Sequence, residues 1–418
     1  MPVPTFTFHM NGWKRPFLEA AFPGRQFRYM PFFLSARGFR RDWARRILQA
    51  TDPEFFVWSL NLSEEADWFA REHDIPVHYI EDGFLRSLRP SAGYSVPFSL
   101  TIDRQRPYFD SRGPSDLEDL LNSHDFTDAE LGRARTGIDR LLSTRISKYN
   151  DQDPNHGDRA VEEGRRRVLV IGQVEEDASI RYGCDRPFTN NDLVRLAALE
   201  NPDAEIVYKP HPDVLKGVRR RLSDPGEIAH LATIVTRPQP LPDALDGADQ
   251  VYTITSLAGF EALMRGIKVT TLGCPFYAGW GLTDDRQPNP RRTRKLSIEE
   301  LFAGAYLLYP QYFDPLTGKA STFEEALTQM AAWRQTGVPA DADRLLGIHG
   351  SATRWAPLGP YGLLGWRHLL TPVVARVIGH MGNAEDVSYY RRDPIGFFRE
   401  LSNPRLRRIG RWLYPFTL

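Results

Sequence analysis

Short apolar runs that end in a polar residue or a tight turn, each followed by a helical stretch, recur through most of this chain. That alternation limits the fold more than any other feature, because strand, helix and strand in that order mark a parallel α/β unit. Phe55–Leu60 reads as a buried strand. Ser63–Ala70 reads as a helix with a Ser and early acids at its start, and Val77–Ile80 as the next strand. The pattern turns helical from Ser111 to Asn150, and the polar, charged stretch from 151 to 167 reads as an exposed linker. Val168–Gly172 opens a second unit. Further strands are expected at Glu205–Tyr208, Ala232–Val235, Gln250–Ile254 and Lys268–Leu272, with helices at Asn190–Glu200 and Leu257–Arg265. The expected fold is therefore α/β, with two Rossmann-like domains facing a cleft. Their bounds are 1–150 and 168–336, joined by the linker 151–167 and followed by a basic, aromatic helical tail at 337–418.

A chain of 418 residues is too long for one ordinary core. With 25% charged and 41% hydrophobic residues it has a globular composition. Lys+Arg and Asp+Glu are both 53, so a surface devoted to nucleic acid is excluded and no nucleic-acid partner is expected. Two cysteines, Cys184 and Cys274, exclude a disulfide-built scaffold and fit a reducing compartment. The N-terminus carries no basic start followed by an apolar run, and no stretch reaches the ~18 apolar residues of a spanning helix. The expected location is the cytoplasm, or peripherally the inner face of the inner membrane. From Ser351 to Leu418, ten arginines face four acids among interspersed Trp and Tyr residues. Such a segment can lie on anionic lipid, or can simply pack back across the two halves.

In open α/β sheets ligands bind beyond the carboxyl ends of the strands. After Val168–Gly172 come Gln173, Glu175, Glu176 and Asp177. A helix N-terminus explains Glu175 and Glu176, whereas Asp177 can act as a nucleophile toward a sugar carbon. After Glu205–Tyr208, two prolines fix a rigid turn that presents Lys209 and His211, a natural phosphate site. After Gln250–Ile254, Thr255 or Ser256 can cap a helix whose N–H groups suit a phosphate, and Glu261 can accept from a ribose diol. After Lys268–Leu272, glycines flank Tyr277 and Trp280, which could offer stacking surfaces or form a rigid structural turn. In the first half, Glu81-Asp82-Gly83 stands at a strand end, suited to a general base, with Arg86 close by to hold an anionic group. A Gly-rich dinucleotide turn, a Gly-Lys-Ser/Thr phosphate loop, a His-Glu-x-x-His helix and a Gly-x-Ser-x-Gly elbow are all absent from the sequence.

Taken together, Glu81–Ser87, Gly172–Ile180, Tyr208–Val214, Thr255–Leu263 and Tyr277–Arg286 resemble the motifs of KpsC-type capsule polysaccharide synthesis proteins. The resemblance covers roughly residues 50–330. It implies a retaining β-Kdo glycosyltransferase of GT-B-like fold that uses CMP-Kdo to extend an oligo-Kdo primer on (lyso)phosphatidylglycerol, for capsule assembly and export. Many members carry two catalytic modules, and 418 residues leave room for one. Carried over, Gln173 and Asp177 belong to the catalytic centre, with Asp177 the nucleophile. Lys209 and His211 hold the CMP phosphate, and Thr255, Ser256 and Glu261 surround the nucleotide. Either Glu81 or Asp82 is the base. Arg86, Arg181 and Arg286 are candidates for the sugar carboxylate. The partners implied are a nucleotide-sugar donor, a glycolipid acceptor and the capsule export machinery, with no cofactor and no obligatory metal. Alternatives are transfer of another activated sugar, or a non-catalytic assembly or export subunit.

Overall fold

The computed structural model describes residues 1–32, 34–88, 95–147, 165–215, 221–237, 239–339, 341–342, 345, 365–382, 384–392 and 394–414. Most of the expected linker, 151–164, lies outside the described residues.

Two sheets carry the molecule. The first has seven strands: β1 (Val3–Phe8), β2 (Arg25–Tyr29), β3 (Glu54–Trp58), β4 (Val77–Asp82), β5 (Ser99–Asp103), β12 (Gln311–Phe313) and β13 (Ala320–Ser321). Their spatial order is β13-β12-β5-β4-β3-β1-β2. The four strands from β2 to β4 run parallel, while β5, β12 and β13 add antiparallel pairings at one edge. The second sheet is wholly parallel, in the order β11-β10-β9-β6-β7-β8. It is built from β6 (Arg167–Ile171), β7 (Glu205–Lys209), β8 (Thr233–Ile234), β9 (Gln250–Thr253), β10 (Lys268–Thr271) and β11 (Asp284–Asp285). Helices cover its faces, so β6, β7 and β9 are continuous apolar runs without alternation.

Sheet membership does not follow the expected 168–336 boundary. After the second sheet is complete, β12 returns to the first, with Gln311 opposite Leu100 and Tyr312 opposite Ser99. One apolar cluster underlies both halves, joining Phe84, Leu85 and Phe98 to Leu169, Val207, Phe260, Trp280 and Tyr306. Glu118, 4% exposed, adds an ionic tie: it accepts from Arg291 Nε at 2.5 Å and from Arg292 Nε at 2.9 Å. The two halves are thus packed together below the cleft, which fixes the distance between strand ends that face each other across it.

The tail is helical, as expected, at Gly365–Leu370, Thr371–Met381, Ala384–Arg392, Pro394–Glu400 and Pro404–Leu413. It packs against the first half, where Phe32 joins a cluster with Ile378, Tyr390, Phe398 and Tyr414. Phe32 also bridges Leu401 through backbone hydrogen bonds.

Candidate active site

The carboxyl ends of both sheets open into one cavity of about 1480 Å³. Glu81, Asp82 and Arg86 line it from the first half. Gln173, Asp177, Arg181, Lys209, His211, Thr255, Ser256 and Glu261 line it from the second. Residues chosen from four separate stretches of sequence are therefore neighbours in space, because each stretch lies at the end of a strand that points the same way.

Close backbone approach brings the strand ends together. A Cβ on Gly172 would lie 2.8 Å from Tyr208 Oη and 3.1 Å from Pro210 Cα, so only glycine lets the turn after β6 pass the turn after β7. Gly83 plays the same part in the first half, where a Cβ would meet Ser99 Cβ at 2.8 Å. Gln173 ties β6 to β9. Its Oε1 accepts the Thr255 N–H at 2.7 Å and its Nε2 donates to Thr255 Oγ1 at 3.1 Å. Both ends of that side chain are engaged within the protein, so Gln173 positions the floor of the cavity.

Asp177 is exposed on the cavity wall and is the N-cap of the helix Ala178–Gly183, accepting the Ser179 N–H at 2.8 Å. Glu175 and Glu176, expected as acids at a helix N-terminus, precede the helix, and Asp177 is the residue that caps it. Glu175 instead holds a loop, accepting from the N–H groups of Asn190 at 2.7 Å and Ser223 at 2.9 Å. Ser256 caps Leu257–Leu263 through the Ala258 N–H, and Glu261, 3% exposed, lies 3.9 Å from Arg265.

Lys209 is 5% exposed, and burial lowers its pKa to about 8. His211 Nδ1 accepts the Asp213 N–H at 3.1 Å, which leaves the ring proton on Nε2 as a donor. A desolvated ammonium beside an imidazole N–H is a strong anion site. Across the cavity, Arg86 Nε donates to Asp82 Oδ2 at 2.5 Å, while its buried Nη1 finds no hydrogen-bond partner among the described residues. Arg181 is exposed and lies over the Tyr182 ring at 5.3 Å. Arg286 is not part of the wall. Glu200 holds it at 2.8 Å and Asp284 at 2.7 Å, at the outer edge of the second sheet. Among the described residues, no group of three His, Cys, Asp or Glu side chains is placed to hold a metal ion.

Tyr277 and Trp280 do not form stacking surfaces, since both are 0% exposed. Trp280 Nε1 donates to the Phe276 carbonyl at 2.8 Å and the Tyr277 hydroxyl donates to the Ser256 carbonyl. The glycines between and after them, Gly279 and Gly281, sit at φ +83° and +82° to make that turn. Pro275 and Phe276 face the cavity instead.

Sequence reasoning missed part of the first-half wall. Asn11 and Lys14 follow β1, Trp58 ends β3, and Ser59 and Asn61 follow it. Lys14 is 8% exposed, with Nζ 2.9 Å from the centroid of the Trp58 ring. Ser59 takes φ +55°, a conformation costly for a residue with a Cβ, and its N–H donates to the Ile80 carbonyl at 2.9 Å. The signal was available: polar residues directly after a strand, in a first strand that the proline-rich start conceals.

The chain matches the family described as capsule polysaccharide biosynthesis protein over residues 61–313. It is 43% identical over 79% of its length to the lipopolysaccharide-processing protein LpsZ of Rhizobium meliloti, covering 75% of that protein. It is 41% identical over 67% of its length to the capsule polysaccharide modification protein LipA of Neisseria meningitidis serogroup A, but spans only 40% of LipA. Among solved structures, the β-Kdo 2,4 transferase of Thermosulfurimonas dismutans KpsC matches 79% of this chain and 98% of its own, at 32% identity and a TM-score of 0.67. The β-Kdo 2,7 transferase of the same KpsC matches 79% and 99%, at 33% identity and a TM-score of 0.62.

Proposed function

Since the chain belongs to the capsule polysaccharide biosynthesis protein family, we propose that it is a retaining glycosyltransferase moving Kdo from CMP-Kdo onto a Kdo-bearing glycolipid primer. One observation carries this reading. Carboxylates from one half, Glu81 and Asp82, share a cavity with a carboxylate, an ammonium and an imidazole from the other: Asp177, Lys209 and His211. The likeness to two Kdo transferase structures, each matched over nearly its full length, supports the choice of sugar.

In the proposed reaction the Asp177 carboxylate attacks the anomeric carbon as the bond to the CMP phosphate oxygen breaks. Lys209 and the His211 Nε2–H neutralise the departing phosphate, so neither a general acid nor a metal is required. An acceptor hydroxyl then attacks the same carbon from the vacated face, giving up its proton to a base and releasing Asp177. The two displacements restore the original configuration, as in retaining glycosidases. We assign the base to Glu81 and the anchoring of Arg86 to Asp82, whose Oδ2 accepts from Arg86 Nε. Arg86, whose buried Nη1 has no hydrogen-bond partner among the described residues, takes the sugar's own carboxylate in preference to the exposed Arg181.

The deciding assay incubates the protein with CMP-Kdo and a Kdo-primed lipid, following CMP release and product mass. Addition of one Kdo with equal CMP release is expected. Absence of both, with a correctly folded protein and active donor, overturns the reading.

A pH dependence follows from Lys209. Its charge is lost in the free protein as pH rises through about 8, and a phosphate-bearing ligand binds the protonated form. CMP affinity should therefore be flat below that point and fall by up to about tenfold per pH unit above it. Calorimetric titration from pH 7 to 9.5 measures it, and Lys209→Met should abolish the slope. A wild-type affinity that stays level across the range removes Lys209 from the phosphate site.

A further inference from the structure

The family match ends at residue 313, well before the C-terminal helices. Yet seven of the thirteen large apolar side chains exposed among the described residues lie between 366 and 412. In the helix Thr371–Met381, Ala375 and Ile378 are buried, while Val373, Val377 and Met381 repeat every fourth residue on the outer side. In the helix Pro404–Leu413, Gly410 and Leu413 are buried. Arg405, Arg408, Ile409 and Trp412 follow at i, i+3, i+4 and i+7, so they share one exposed face. That helix contains four arginines and no acid. Scattered exposed apolar residues are ordinary, but apolar and aromatic groups interleaved with arginine along one face form an interfacial surface.

The helix Thr371–Met381 reaches the cavity wall at Gly379, and the helix after it, Ala384–Arg392, lines the cavity through Val387, Tyr389 and Arg391. His9 Nε2 lies 3.1 Å from Asp386 Oδ1, which ties this wall to the end of β1 beside Asn11.

We propose that the C-terminal helices are a docking face for an anionic lipid bilayer, placed so that a lipid-borne acceptor reaches the cavity past their wall. Charge complementarity selects a bilayer over a second copy of the chain. A two-fold interface would set this face against itself, arginine against arginine, with no acid on the helix to offset them. Delivery of the acceptor rests on the transferase reading above, whereas the surface itself does not.

The test is sedimentation of the full chain with vesicles of phosphatidylcholine alone or mixed with phosphatidylglycerol. Wild type should bind the mixed vesicles and not the neutral ones, with binding lost at high salt. Arg405→Glu with Arg408→Glu should weaken binding at least about 25-fold, since each surface cation contributes about fivefold. Arg37→Glu with Arg135→Glu makes the same charge change on the exposed first half and should bind like wild type. With a water-soluble acceptor the face variant should keep the wild-type transfer rate, and with an acceptor in mixed vesicles it should lose most of it. The proposal is overturned if wild type ignores phosphatidylglycerol, if both double variants lose binding equally, or if the face variant only converts a dimer into monomers. If no protein transfers sugar while vesicle binding behaves as expected, the transferase reading alone fails.

Discussion

Asp177→Asn should lower sugar transfer roughly 10⁴-fold or more and leave the protein folded, because removal of a nucleophile abolishes the covalent route outright. Asparagine is the informative replacement. Asp177 caps the helix Ala178–Gly183 through the Ser179 N–H, and Asn caps about as well as Asp, so the local structure survives the loss of charge. Alanine would also remove the cap, at roughly 0.5–2 kcal/mol, and would confuse a folding effect with a chemical one. Three readouts separate the roles. CMP release reports turnover, thermal unfolding reports the cap, and intact-protein mass reports a covalent sugar on wild type given donor without acceptor. Near wild-type turnover in Asp177→Asn, with an unchanged unfolding midpoint, would make Asp177 a cap and nothing more.

Glu81→Gln is expected to slow transfer about 10²- to 10⁴-fold, the usual contribution of a general base. Its position in the reaction gives the sharper signature. A base that deprotonates the acceptor acts only in the second displacement, so the variant should still form the sugar adduct and then accumulate it. Asp82→Asn should behave differently, because Asp82 is the partner of Arg86 Nε at 2.5 Å. Without that partner Arg86 is free to shift, and the effect should appear in the donor KM more than in kcat. If the two variants exchange behaviours, Asp82 is the base and Glu81 the positioning residue.

The second half was far more legible than the first. Every strand expected there, from Val168 to Leu272, has a counterpart from β6 to β10, and the helix Asn190–Glu200 has the expected bounds. A parallel sheet covered on both faces needs unbroken apolar strands, and such runs stand out in any sequence. In the first half β1 was hidden by Pro4, which a central strand ordinarily excludes. The register explains the exception. Pro4 pairs only with β2, and the ladder to β3 begins at Thr5, so the missing N–H costs no bond on that side. The return of β12 could not be read locally either, since three residues carry no periodicity and their partner lies some 200 positions earlier.

The same contrast holds within the site. Residues placed by a strand end, such as Lys209 and His211, were found because strand and turn are both local patterns. Tyr277 and Trp280 were given stacking surfaces as well as a structural turn, because whether an aromatic side chain faces a ligand or the core depends on what packs against it. Arg286 was a candidate until Glu200, 86 positions away, proved to hold it.

What the chain determined by itself was the pair of α/β units and the polar residues that follow their strands, since propensity, capping and turn chemistry act over a few neighbouring residues. Tertiary structure alone decided which side chains share the cavity, which of them are already engaged, and that helices beyond residue 365 form part of its wall. Burial and charge pairing are sums over partners distant in the chain, and no local pattern carries them.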